Sequence, residues 1–166
     1  MTVEQKIGLL LKDNACTLSV AESCTGGRIS HLITTVSGSS AYYLGSVTSY
    51  AVSVKEQVLG VPDDVIESAG VVSSEVAAAM ACGVRRLTGS TFSLATTGLA
   101  EGGDEHYPEG TVWIGVDGPS GVSTFLYQYD KDRKANIRRF SVVALHFLLD
   151  YIENWIKSYK SAGKTK

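Results

Sequence analysis

A serine, a thiol, a hydroxyl and two glycines stand together at residues 21–27, Ala-Glu-Ser-Cys-Thr-Gly-Gly. An apolar run precedes them and a helical pattern follows, so they occupy a strand-to-helix turn. Ser23, a hydroxyl at this turn, is a candidate nucleophile. Because backbone N–H groups at a helix start attract anions, the helix start is a candidate site for an anion or oxyanion. The alternative is that Ser23 or Thr25 only caps the helix, while Gly26 and Gly27 allow close packing.

A lysine and a tyrosine could complete a hydrolytic site around that serine. Lys55 stands five residues after Tyr50, so a strand end followed by one helical turn would aim its amine at Ser23. A lysine base has to lose its proton, and its ordinary pKa of ~10.4 must be lowered by burial or by neighbouring cations. With Tyr50 able to relay or donate a proton, the three residues would then form a serine–lysine site suited to amide or ester hydrolysis. The alternative is an ordinary solvated lysine on a surface helix.

The other polar residues indicate no metal centre and no cofactor. The three cysteines form no C-x-x-C motif and have no histidine nearby at zinc-ligand spacing; they are Cys16, Cys24 and Cys82. Asp104, Glu105 and Glu109 could hold a cation or simply keep their loop solvated. We expect catalysis without a metal.

Periodicity predicts the elements that must position these residues. Helices are expected over residues 3–13, 28–35, 53–59, 62–68, 134–157 and between Ser73 or Ser74 and Gly89, and strands over 17–21, 43–50, 91–95, 110–116 and 122–129. Strands separated by helices and then a hairpin predict an α/β fold, a three-layer α/β/α sandwich with a mixed, mostly parallel sheet. Because ligands bind outside the carboxyl ends of parallel strands, residues 22–27, 50–55 and 96–103 should share one rim.

Composition limits the class of protein. The 166 residues are 44% hydrophobic and 19% charged, with a formal net charge of −2, which suits one well-cored domain. We assign that domain to residues 1–160 and a polar tail to residues 161–166. The charge balance lacks the basic excess typical of nucleic-acid binding, and no apolar run approaches the ~20 residues that span a bilayer. We predict a cytoplasmic protein that binds neither nucleic acid nor membrane.

Seven segments in order resemble the C-terminal domain of the competence-damage-inducible protein CinA, from about residue 5 to residue 155. They are residues 21–27, Gly38-Ser-Ser-Ala-Tyr42, Tyr50 with Lys55, Leu59-Gly-Val61, Gly70-Val-Val-Ser73, Thr97-Gly98 and Gly110-Thr-Val-Trp113. Stand-alone members of that family are nicotinamide-nucleotide amidohydrolases, which convert nicotinamide mononucleotide to nicotinic acid mononucleotide and ammonia in pyridine-nucleotide salvage. The resemblance implies a mixed five-stranded sheet and no metal or organic cofactor.

The resemblance also assigns site residues. It places the catalytic residues at Ser23, Lys55 and Tyr50, with the substrate-binding residues Thr25, Gly26, Gly27, Thr97 and Gly98 around them. An arginine of segment 132–138 would meet the substrate phosphate. Our assignment is Arg138, and Arg133 is the alternative. Whether Ser23 attacks the substrate itself or positions a water activated by Lys55 is left open.

Two departures from the family pattern suggest a second function. Ala51 and Val52 replace a serine and an asparagine that usually follow the tyrosine, and Glu101 enters a loop that usually reads Ile-Ala-Gly-Pro after the Thr-Gly pair. A carboxylate there would repel an anionic substrate unless the loop points it away. The alternative function is therefore a catalytically weak or inactive paralogue that binds a nucleotide or a protein partner through the same rim.

Large apolar residues near the element ends suggest self-association. Residues 42–44 lead into the second strand, and Trp155, Ile156 and Tyr159 end the last helix. If the strand from Tyr42 lies at a sheet edge, a second copy could cover it, and a two-fold homodimer is the commonest closed assembly. We therefore predict a homodimer.

Overall fold

Five strands and six α-helices make up residues 1–163, which are the residues that the computed structural model describes. The strands are β1 (Leu18–Glu22), β2 (Tyr43–Thr48), β3 (Phe92–Leu99), β4 (Thr111–Asp117) and β5 (Ser123–Gln128). The helices are α1 (Val3–Asp13), α2 (Arg28–Thr34), α3 (Val52–Gln57), α4 (Asp63–Ala69), α5 (Ser74–Thr88) and α6 (Arg133–Gly163). A short 3₁₀ helix, Ser39–Ala41, precedes β2.

The strands form one mixed sheet in the order β2-β1-β3-β4-β5. β1 pairs in parallel with β2 and β3, whereas β4 is antiparallel to both β3 and β5. Four strands therefore point the same way and β4 alone opposes them, which confirms the mixed, mostly parallel sheet. The β4–β5 pair is the hairpin that the residues Asp117 to Gly121 predict, and Gly121 has a φ of 87° in its turn.

Helices cover both faces of the sheet, which confirms the three layers. On one face, side chains of β1, β3 and β4 pack against α1, α2 and α6 in the larger hydrophobic core, which includes Ile7, Ile29, Leu94, Ile114 and Leu148. On the other face, Ala21 and Ala95 pack against Val76, Met80 and Val84 of α5. All of β1 is buried, as expected for a strand covered on both sides.

Two elements extend beyond their predicted ends. β3 continues to Leu99 rather than stopping at Ala95, because residues 96–99 pair with residues 111–114 of β4. α6 continues through Gly163, so residues 161–163 of the predicted tail are helical, and residues 164–166 lie outside the described residues. The domain boundary at residue 160 stays a prediction.

Of the apolar residues that suggested a dimer, some are buried in the core and others are exposed. β2 is an edge strand, as expected, but Tyr42 and Ile156 are both buried in the larger core. Tyr159 remains exposed and stacks on Trp155. The homodimer stays a prediction. Between residues 1 and 163, no helix has the length and apolar character needed to cross a bilayer.

Candidate active site

A cavity of about 450 Å³ lies at the carboxyl ends of β1, β2 and β3. Its lining includes five of the residues assigned to catalysis or substrate binding: Ser23, Tyr50, Lys55, Thr97 and Gly98. These residues come from three separate segments, which meet because parallel strands end at the same edge of the sheet. The predicted rim is therefore present, and it surrounds a concave site large enough for a small molecule.

Lys55 and Ser23 form the floor of this cavity. The Lys55 amine donates a hydrogen bond to Ser23 Oγ at 2.8 Å and to the carbonyl oxygens of Ser49 and Tyr50 at 2.6 and 3.3 Å. The Lys55 side chain is fully buried, although α3, which carries it, lies at the surface. The interpretation of Lys55 as a solvated surface lysine is therefore wrong.

Burial changes the acid–base chemistry of Lys55. Removal of the ammonium group from water lowers the pKa of Lys55 to about 8, and the nearby Cys24 only partly opposes this shift. A neutral amine has two N–H donors and one lone pair. If the two carbonyl oxygens hold the two N–H groups, the lone pair faces Ser23 Oγ, which is the arrangement that a general base for this serine needs.

The backbone around Ser23 is fixed by the sheet and by two glycines. Ser23 follows β1 directly, and its N–H donates to the Thr96 carbonyl of β3 at 3.0 Å. The chain then turns tightly, with the N–H of Gly26 donating to the Ser23 carbonyl, and Gly26 and Gly27 have φ values of 60° and 96°. Only glycine adopts this conformation at little cost, so the two glycines shape the turn and do not line the cavity.

The start of α2 is occupied by a side chain of this protein. Glu22 is fully buried, and one of its carboxylate oxygens accepts from Thr25 Oγ1 and from the N–H groups of Gly27 and Ile29. The other oxygen accepts from the N–H and hydroxyl of Ser30. Because these donors already bind a carboxylate, the predicted anion site at this helix start is wrong.

Thr25 belongs to that buried network rather than to the cavity. Its hydroxyl lies 2.6 Å from the Glu22 carboxylate and 2.8 Å from Thr96 Oγ1. Neither Thr25 nor Ser23 caps α2 through its side chain, because the N-cap residue is Gly27. Glu22 was missed as a site residue, and the signal that could have found it is a carboxylate at the end of a wholly buried strand.

Cys24 lines the cavity beside the serine but is not a competing nucleophile. Burial raises the pKa of its thiol to about 12, so the reactive thiolate is scarce near neutral pH. Its Sγ atom lies next to Gly98, where a Cβ would come within 3.1 Å of it and within 2.5 Å of the Thr111 carbonyl. Gly98 is thus required by close packing between β3 and β4, while the Thr97 hydroxyl donates to the Val71 carbonyl at 2.9 Å.

The mouth of the cavity contains Tyr50 and an arginine. Tyr50 is 60% exposed, and its hydroxyl accepts a hydrogen bond from Arg133 Nη2 at 2.9 Å. Tyr50 thus offers its carbonyl oxygen to Lys55 and its hydroxyl to Arg133. The predicted role of Tyr50 in proton transfer at Ser23 is not supported by this placement.

The two candidate arginines lie in different places. Arg133 lines the cavity, whereas Arg138 lies in a separate depression with Tyr129 and Arg139. The structure therefore does not bring Arg138 to the site and brings Arg133 there instead. Arg133 Nη1 also lies 3.8 Å from a carboxylate oxygen of Glu101.

Only one of the two departures from the family pattern reaches the cavity. Ala51 and Val52 are exposed and do not line it, whereas Glu101 and Asp104 do. Within residues 1–163, no three His, Cys, Asp or Glu side chains come together as a metal-binding group. The functional groups of the site are a serine, a lysine, a tyrosine, an arginine and two carboxylates.

Comparisons with known proteins agree on the family. The model of the CinA C-terminal domain matches residues 1–152. A CinA-like protein of Desulfosudis oleivorans is 46% identical over 151 residues, which are 89% of this chain and 37% of that protein. A CinA-like protein of Geotalea uraniireducens is 37% identical over 99% of this chain and 39% of its own length. The chain thus spans less than two fifths of the length of these curated relatives.

Solved structures of similar size have the same fold. A CinA superfamily protein from Klebsiella pneumoniae superimposes with a TM-score of 0.89 at 25% identity, covering 92% of this chain and 97% of that one. The competence/damage inducible protein CihA from Agrobacterium tumefaciens has a TM-score of 0.85 at 29% identity, covering 89% of this chain and 92% of its own. With the sequence relatives, these matches show that the chain belongs to the CinA C-terminal domain family.

Proposed function

We propose that this chain is an amidohydrolase that converts nicotinamide mononucleotide to nicotinic acid mononucleotide and ammonia. The observation that carries the proposal is the buried Lys55 amine 2.8 Å from Ser23 Oγ at the floor of the cavity. A serine beside a lysine of lowered pKa is a nucleophile with its base, and this pair is suited to acyl transfer from an amide.

The reaction follows from that pair in two halves. Neutral Lys55 accepts the hydroxyl proton of Ser23 as Oγ bonds to the carboxamide carbon. The Lys55 ammonium then gives its proton to the amide nitrogen, the C–N bond breaks and ammonia leaves. A water molecule next attacks the ester on Ser23 while Lys55 accepts its proton, and the return of that proton to Oγ releases the carboxylic acid.

The oxyanion of the tetrahedral intermediate needs donors outside the start of α2. The N–H groups of Gly26 and Gly27 already donate to the Ser23 carbonyl and to Glu22. We therefore assign oxyanion stabilisation to the Thr97–Gly98 segment, which lines the cavity. A single oxyanion donor is typically worth about 3 kcal/mol.

Substrate binding is assigned to the mouth of the cavity. Arg133 lines the cavity, and the planar guanidinium of an arginine suits the oxygens of a phosphate. Its hydrogen bond from Nη2 to the Tyr50 hydroxyl holds the guanidinium over the opening. In this proposal, Arg133 replaces Arg138 as the phosphate ligand, and Tyr50 positions it.

The experiment is ammonia release from nicotinamide mononucleotide by the wild type, Ser23→Ala and Ser53→Ala. Ser53 is exposed on α3, outside the cavity, so its variant is a matched control and should match the wild type. Ser23→Ala should lose about 10³-fold or more in kcat. Near-normal release by Ser23→Ala would instead favour direct attack by a water molecule that Lys55 activates.

A second function is favoured by one feature of the cavity mouth. Glu101 lies beside Arg133 and lines the cavity, and its charge opposes the binding of a phosphate. The candidate is a weak or inactive paralogue that binds a nucleotide or a protein partner. Calorimetric binding of nicotinamide mononucleotide with no ammonia release, or with only trace release, would support it, whereas wild-type turnover with a kcat of about 1 s⁻¹ or more would exclude it.

A further inference from the structure

Glu101 and Arg133 form an ion pair at the mouth of the cavity. This pair bears on which substrates the proposed amidohydrolase accepts, so this inference rests on the proposed function. Arg133 Nη1 lies 3.8 Å from a Glu101 carboxylate oxygen, and both residues line the cavity. The Arg133 side chain is 43% exposed and the Glu101 side chain is 68% exposed, so the pair is accessible to a ligand. A substrate phosphate that binds Arg133 has to displace Glu101 or meet its charge.

The pair is held in place by a buried amide. Asn136 is fully buried, and its Nδ2 donates to the Ala100 carbonyl at 2.9 Å and to the Lys131 carbonyl at 2.7 Å. It thereby joins the residue before Glu101 to the segment that leads into α6, where Arg133 is the first residue. Glu101 is therefore anchored next to Arg133 by its backbone, and not merely by a weak surface ion pair.

The second carboxylate of the cavity has a different use. Asp104 Oδ1 accepts the backbone N–H groups of His106 and Tyr107, so it holds the shape of its own loop. Glu101 instead directs its carboxylate to Arg133. It is thus the acidic group that competes with a phosphate for the guanidinium.

We propose that Glu101 is a specificity-determining residue that extends the substrate class to unphosphorylated pyridine nucleosides bearing a carboxamide. A nucleoside hydroxyl can donate a hydrogen bond to the Glu101 carboxylate while Arg133 keeps its pair. A phosphate monoester dianion gains Arg133 but is repelled by Glu101. The wild type therefore discriminates little between nicotinamide riboside and nicotinamide mononucleotide.

The test compares kcat/KM for ammonia release from these two substrates in the wild type, Glu101→Gln and Glu105→Gln. Glu105 is an exposed carboxylate of the same loop that does not line the cavity, so its variant controls for net charge. The wild type should use the two substrates within about threefold of each other, and Glu101→Gln should raise the ratio of mononucleotide to riboside about fivefold, through KM. Glu105→Gln should change the ratio less than about twofold.

Other results separate the inference from the proposed function. Turnover of both substrates with a ratio that Glu101→Gln leaves unchanged, or that both variants change equally, would overturn the role of Glu101 alone. A wild type that strongly prefers the mononucleotide would overturn it too. No ammonia from either substrate, whether or not calorimetry detects binding, would overturn the proposed amidohydrolase and this inference with it.

Discussion

The floor and the mouth of the cavity are built in opposite ways. At the floor, Lys55 and Ser23 are buried, and the backbone carbonyls of Ser49 and Tyr50 hold the amine. At the mouth, the side chains of Arg133 and Glu101 are 43% and 68% exposed, respectively, and they meet at 3.8 Å. Burial makes electrostatic effects large, and solvent makes them small. The floor is therefore suited to chemistry and the mouth to selection among substrates.

Replacement of Lys55, the proposed base, should reduce the activity more than any substitution at the mouth of the cavity. Lys55→Met places an apolar chain of similar length at the floor and leaves Ser23 without a proton acceptor. Ammonia release from nicotinamide mononucleotide should fall about 10³-fold or more in kcat. Lys6→Met, at an exposed position of α1, is the control and should match the wild type. Retention of a tenth of the activity by Lys55→Met would remove the distinction between the floor and the mouth.

Glu22→Gln tests what holds the floor in place. The amide nitrogen of glutamine would face N–H or hydroxyl donors that now point at a carboxylate oxygen, and the charge that favours the start of α2 would be lost. The free energy of unfolding, measured in urea, should fall by about 2–3 kcal/mol. Glu105→Gln should stay within about 0.5 kcal/mol of the wild type. Equal stability of the two variants would contradict the role given to Glu22.

The sequence predicted the floor better than the mouth. The order of strands and helices places the segments that carry Ser23 and Lys55 at the same edge of the sheet, because each follows a parallel strand. The two side chains therefore lie close together. A carboxylate at the end of a buried strand could have drawn attention to Glu22, but its partners at the start of α2 depend on how that helix packs against β1, which local sequence does not encode. Likewise, the extension of β3 to Leu99 depends on pairing with β4, which local sequence does not encode.

The choice between the arginines illustrates the limit at the mouth. Both stand on α6, and only Arg133, the first residue of that helix, lines the cavity. Arg138 is five residues further on, about 140° around the helix axis, and it faces a different depression. The exact start of a helix is the least predictable part of it, so spacing alone could not decide between them.

Arg133→Gln should have a smaller effect than the substitutions of Lys55 and Glu22, and it tests which arginine binds the substrate phosphate. The variant removes the charge that binds phosphate but leaves Lys55 and Ser23 in place. KM for nicotinamide mononucleotide should rise about tenfold, with kcat within about threefold of the wild type. Arg138→Gln is the matched control on the same helix and should leave both constants unchanged. The reverse result would return the phosphate site to Arg138.

The pH dependence of kcat/KM for ammonia release tests most directly whether the buried Lys55 is the base. Burial lowers the pKa of Lys55 to about 8, and the amine accepts a proton only when it is neutral. Below that pH, activity should therefore fall about tenfold per pH unit as protonated Lys55 accumulates, and above it activity should level off. A profile that is flat from pH 6 to pH 9, or one that falls as the pH rises, would contradict the account.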